Sequence, residues 1–112
     1  DVEPDLIVGL AAISDVVSYA AGSNSCQAAT SLFMGGDVTE QAQAYFDANP
    51  INHGLHENTV LLQGDADEIV PLSQAALPGA RTIISAGASH FDWAHPETTA
   101  FRQLLELLDE QF

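Results

Sequence analysis

The residues able to do acid–base chemistry fall in two short stretches. Leu61-Leu62-Gln63-Gly64-Asp65-Ala66-Asp67-Glu68-Ile69-Val70-Pro71 is an apolar run that ends in glycine and opens into an acidic loop. Some twenty residues on, Ser89-His90-Phe91-Asp92-Trp93 puts a histidine at the tip of a second loop. A buried carboxylate bonded to one ring nitrogen fixes the tautomer of a histidine and stabilises its imidazolium, leaving the other nitrogen to take a proton from a serine hydroxyl. Standing alone, His90 reads as readily as a packed or surface histidine as it does as a base; its acidic partner is what points to chemistry.

Positioning such a pair requires two strands. Thr59-Val60-Leu61-Leu62 and the β-branched run from Arg81 to Ser85 both read as strands, the second followed by Ala86-Gly87 as a turn. If the two run the same way about 4.8 Å apart, the loops after them emerge side by side, at the sheet end where α/β proteins collect functional groups. Upstream, Leu6 to Ile13 is a continuous apolar run that reads as a fully buried parallel strand, with Ser14-Asp15 at its end. Between the first two strands, Ser25 reads as the N-cap of a helix through Ala28, Ala29, Leu32 and Phe33, stopped by Gly35-Gly36. A second helix from Thr39 takes in Ala42, Ala44, Tyr45 and Phe46 and ends near Asn49-Pro50. A short helix spans Pro71 to Leu77, closed by Pro78-Gly79. Pro96-Glu97-Thr98-Thr99 opens the last and clearest helix, whose apolar stripe is Phe101, Leu104, Leu105, Leu108 and Phe112. Periodicity thus gives an α/β chain: three parallel strands with flanking helices.

Gly-x-x-Asp-x-x-Val-Pro, followed by a small-residue turn and a histidine, resembles the C-terminal acid and base of α/β-hydrolase serine esterases. Gly-Asp-Ala-Asp-Glu-Ile-Val-Pro with His-Phe-Asp-Trp-Ala-His-Pro is similar to the bacterial esterase/lipase branch with dienelactone-hydrolase-like and feruloyl-esterase-like members. The resemblance implies that the triad acid is Asp67, three residues after the glycine, and that the base is His90. Asp65 and Glu68 are then solvated or loop-capping carboxylates, and Asp92 and His95 position the loop. Ala88-Ser89 stands before the histidine where glycine is common, which alters the loop backbone. The resemblance covers most of the chain, but only as the last part of such an enzyme: a strand ending in a small residue and Asp, here Ser14-Asp15, follows the nucleophile helix in those esterases. The fold it implies is therefore the C-terminal part of the α/β-hydrolase fold, occupying residues 1–112, with the nucleophile-bearing N-terminal portion outside this chain. A complete enzyme of this kind needs roughly 200–250 residues.

What is missing bounds the function. No Gly-x-Ser-x-Gly occurs, nor an oxyanion-hole HGG-type loop, and Ser14, Ser18, Ser23, Ser25 and Ser89 lack the surrounding glycines of a nucleophile turn. The chain is expected to supply the acid and base of a Ser-His-Asp triad cleaving small carboxylic esters through an acyl-enzyme, and only when joined to the N-terminal portion as a separate chain. The alternative is a non-catalytic α/β fragment that self-associates through the open edge of its first strand.

Composition excludes other classes. Sixteen acidic residues against Arg81 and Arg102 give a net charge of −14, a field that repels phosphate backbones and anionic lipid. No nucleic-acid partner is expected; no run approaches the roughly 18 apolar residues of a membrane span, and no signal peptide is expected in these residues. The acidity is compatible with a saline, secreted or periplasmic setting. Cys26 is the only cysteine, so no intrachain disulfide forms, and nothing around it marks a nucleophile. His53 and His56 are three apart, but a metal needs more ligands than their surroundings offer, so a small metal-binding module is the weakest reading. Asp65-Ala66-Asp67 begins like a calcium loop, yet Ile69 and Val70 stand where a ligand and a glycine belong. Neither metal nor cofactor is expected.

Overall fold

A computed structural model describes residues 1–112. Its centre is a three-stranded, all-parallel sheet in the order β1 (Ile7–Leu10), β2 (Thr59–Gly64), β3 (Arg81–Ser85). Helices α1 (Val16–Ala20), α2 (Ser25–Met34) and α3 (Ala42–Ala48) fill the crossover from β1 to β2, and α4 (Thr99–Gln111) follows β3. The protein is an α/β chain with a parallel sheet flanked by helices.

β2 is buried along its whole length, as a continuous apolar run between two neighbours must be. Side chains alternate across it, and Val60 and Leu62 join Ala11, Ala88, Trp93, Ala100 and Leu107 in the core. α4 closes this face. Thr98 caps it by accepting from the Phe101 N–H at 3.1 Å.

Sequence expectations for five elements are corrected. β1 spans four residues rather than the whole of Leu6–Ile13, because Ala11 takes a left-handed φ of 48° and ends the strand. It is also not fully buried: it lies at the sheet edge, with Ile7 41 % and Leu10 42 % exposed. The N-cap of α2 is Asn24 and not Ser25; the Asn24 side chain accepts from Gln27 N–H while the Gln27 side chain accepts from Asn24 N–H, a reciprocal capping box. The segment after Pro71 winds into only one 3-10 turn, Leu72–Ala75. On α4 the seam runs through Ala100, Leu104 and Leu107, while Leu105 and Phe112 are exposed. α3 starts at Ala42 rather than Thr39, because the Asp37 carboxylate accepts from the N–H groups of Thr39 and Glu40 and holds that segment as a turn.

Candidate active site

Two loops meet at the C-terminal end of the sheet. Residue Gly64 pairs with Ser85 in the β2–β3 register, so the chain leaves both strands at the same level. The loops touch at once: a Cβ on Gly64 would lie 2.1 Å from the Ala88 carbonyl oxygen, so only glycine allows the approach. Ala66 N–H donates to that same carbonyl at 3.1 Å, and Asp65 accepts from Gly87 N–H at 2.7 Å. Asp65 is thus a tie between the two loops.

Asp67 is placed by that contact. Its side chain is fully buried, and each carboxylate oxygen has partners. Oδ1 accepts from the N–H groups of Ile69 and Val70, both at 2.8 Å. Oδ2 accepts from His90 Nδ1 at 2.9 Å and from Gln63 Nε2 at 3.3 Å. Burial works against the charged form, but the Val70 N–H, the His90 ring and the Ile69 N–H outweigh it and hold Asp67 below the ordinary carboxylate range. An ionised carboxylate only accepts, so Nδ1 carries the proton and Nε2 is left with a free lone pair. The His90 ring is 24 % exposed and packs edge-on against Phe91, with centroids 4.8 Å apart. A ring held in one tautomer by Asp67, with no protein partner on Nε2, has the arrangement of a general base.

Three supporting residues escaped the sequence reading. Gln63, 1 % exposed, donates to Val70 O at 3.1 Å as well as to Asp67. Its signal was present: an amide inside an apolar strand must find buried partners. Tyr19 Oη donates to Ile69 O at 3.0 Å, and Asn24 Nδ2 donates to Glu68 O and Ile69 O. Both come from the β1–β2 crossover, and no local pattern announces them.

The other candidates lie apart. Asp92 accepts from Ser89 N–H and Oγ, at 3.0 and 2.9 Å, and so braces the turn before His90; these bonds hold its carboxyl below the usual range. His95 Nδ1 accepts from Glu97 N–H. Asp15 caps α1 and also accepts from Asn49, which lowers its pKa. His53 pairs with Phe46 O and His56 Nδ1 accepts from Asn58 N–H; neither joins a group of three or more His, Cys, Asp or Glu side chains able to hold a metal. Cys26 is a free, exposed thiol. No helix is long and apolar enough to cross a membrane.

No protein-family model matches the chain, and no curated protein matches it significantly.

Proposed function

We propose that this chain is the C-terminal, acid-and-base-bearing part of an α/β-hydrolase serine esterase, with Asp67 as triad acid and His90 as base. The observation that carries the reading is the 2.9 Å bond from His90 Nδ1 to a carboxylate with no exposed side-chain surface, made by loops at the ends of adjacent parallel strands. The order Asp then His, after a serine further upstream, is that of this class.

In the proposed reaction His90 Nε2 takes the proton of a serine hydroxyl as the oxygen attacks the ester carbonyl, while Asp67 stabilises the imidazolium. The imidazolium returns that proton to the departing alcohol, leaving an acyl-serine. Water then attacks with His90 again as base, releasing the acid and the serine. The serine and the oxyanion donors come from the portion outside these residues. Fluorophosphonate labelling followed by denaturing intact-mass analysis tests this: one adduct is expected on a serine of a polypeptide continuous with, or bound to, this chain. Absence of any adduct in a folded preparation overturns it.

A second reading draws on the edge position of β1, whose outer side has no strand partner and whose Ile7 and Leu10 are half exposed. In that reading the chain pairs with a copy of itself and the Asp67–His90 pair is not catalytic. Concentration-dependent association with no phosphonate adduct on any polypeptide would favour it.

A further inference from the structure

The chain has sixteen acidic residues, yet a pocket of about 340 Å³ has no charged residue in its wall. Val16 and Tyr19 of α1, Cys26, Ala29 and Phe33 of α2, and Ala48 at the end of α3 line it, and eight of its nine lining residues are apolar. Such a wall offers an ion no partner in a strongly negative molecule, so an occupant must be uncharged. A cavity of about 150 Å³ accepts benzene, so this one has room for a fused pair of rings or a medium alkyl chain.

Its position connects it to the acid. Because the strands are parallel, Ile13 and α1, which follow β1, lie at the same end of the sheet as Asp67 and His90. Tyr19 is 3 % exposed and forms part of the wall; its hydroxyl donates to Ile69 O, and Ile69 N–H donates to Asp67 Oδ1. One residue therefore separates the pocket wall from the buried carboxylate. Burial first, then the proximity of Cys26 and Asp67, raises the Tyr19 pKa, so the phenol stays a donor at neutral pH. Phe33 stands at the rim 90 % exposed, an aromatic ring that an apolar occupant would cover.

We propose that this pocket binds the uncharged hydrophobic arm, aryl or alkyl, of the substrate whose ester group is cleaved at Asp67–His90. The substrate role rests on the esterase reading; the binding does not.

Cys26, the only cysteine, reports occupancy. The chain is alkylated with iodoacetamide in the presence of naphthalenemethanol or of naphthoate, its charged counterpart, and the rate is followed by intact mass. Naphthalenemethanol at about four times its Kd, which gives about four-fifths occupancy, is expected to slow alkylation about fivefold, and naphthoate to leave it unchanged. Ala29→Trp, at an exposed helix position, fills the pocket and is expected to remove the effect while circular dichroism stays native. Equal rates with and without naphthalenemethanol on the folded chain overturn the proposal. In unlabelled enzyme from a preparation whose serine takes up the phosphonate, Ala29→Trp is expected to lower kcat/KM for methyl naphthylacetate about tenfold more than for methyl acetate. Equal losses on both esters overturn the substrate role. Protection of Cys26 without any phosphonate adduct overturns the esterase reading and the substrate role with it, and supports the binding site alone.

Discussion

Asp67 carries the densest set of hydrogen bonds where the two loops meet at the C-terminal end of the sheet, and the kind of each bond makes its replacement informative. In Asp67→Asn the amide oxygen can still accept from Ile69 and Val70, but the amide nitrogen meets two donors, Gln63 Nε2 and His90 Nδ1. The clash with His90 is relieved if the ring moves its proton to Nε2, which removes the free lone pair, while Gln63 loses one acceptor. Nitrogen NMR is expected to show that tautomer change, and urea unfolding a loss of about 1–3 kcal/mol from the broken buried bonds. In the proposed enzyme kcat falls by about four orders of magnitude with little change in fold, the usual consequence of the wrong tautomer in a triad. The same carboxylate makes stability depend on pH. Its folded pKa lies below 3.8, so as pH falls the unfolded chain takes up the proton first. The stability that Asp67 contributes is present above that value and is lost as pH falls through the folded pKa; an acid titration of the unfolding midpoint should be less steep for Asp67→Asn.

At the scale of elements, the site depends on how closely two loops approach. Gly64→Ala would press a Cβ against the backbone carbonyl of Ala88, an atom that cannot swing aside, and should cost about 3 kcal/mol or more. Gly54→Ala meets nothing within 4 Å and should stay within about 0.5 kcal/mol of the parent. Urea denaturation of the two variants checks both values; equal losses would mean that the loop contact is not what fixes Gly64. Much of this level was legible beforehand. β2 and β3 announced themselves as apolar and β-branched runs, and an acidic loop and a histidine at equivalent strand ends made their meeting predictable. What could not be read was set by long-range partners. Tyr19 and Asn24 reach the acid loop across some fifty and forty-five residues, a relation no periodicity encodes. The α4 seam went to Ala100 and Leu107 because a helix docks by its fit to Val60, Leu62 and Trp93, and a small alanine can sit closest while Phe112 stays in water. The strand limits of β1 were hidden because Ala11 turns out of extended geometry within an unbroken apolar run.

For the whole molecule, charge and the open sheet edge act against each other. A net charge of −14 on 112 residues repels itself, and more so a second copy. Raising salt from about 0.1 M to about 1 M shortens the screening length from about 10 Å to about 3 Å, so the urea midpoint is expected to rise and any self-association to strengthen. A fall in the midpoint would mean that attractive pairs outweigh the repulsion, although Arg81–Glu110 is the only ion pair outside the Asp67–His90 contact. The edge itself can be tested one hydrogen bond at a time. Ile7 N–H and Ala11 N–H donate inward to Asn58 O and Leu62 O, so strand alternation turns the N–H groups of Val8 and Leu10 outward. Leu10→Pro removes one outward donor and leaves both inward bonds, at an edge position where proline is tolerated. Sedimentation is expected to show association abolished if a copy of the chain adds a strand there, and co-purification lost if a separate nucleophile-bearing polypeptide does. Association that survives Leu10→Pro would mean that the partner adds no strand at β1, and instead extends the sheet at its other edge, β3, or docks without strand pairing.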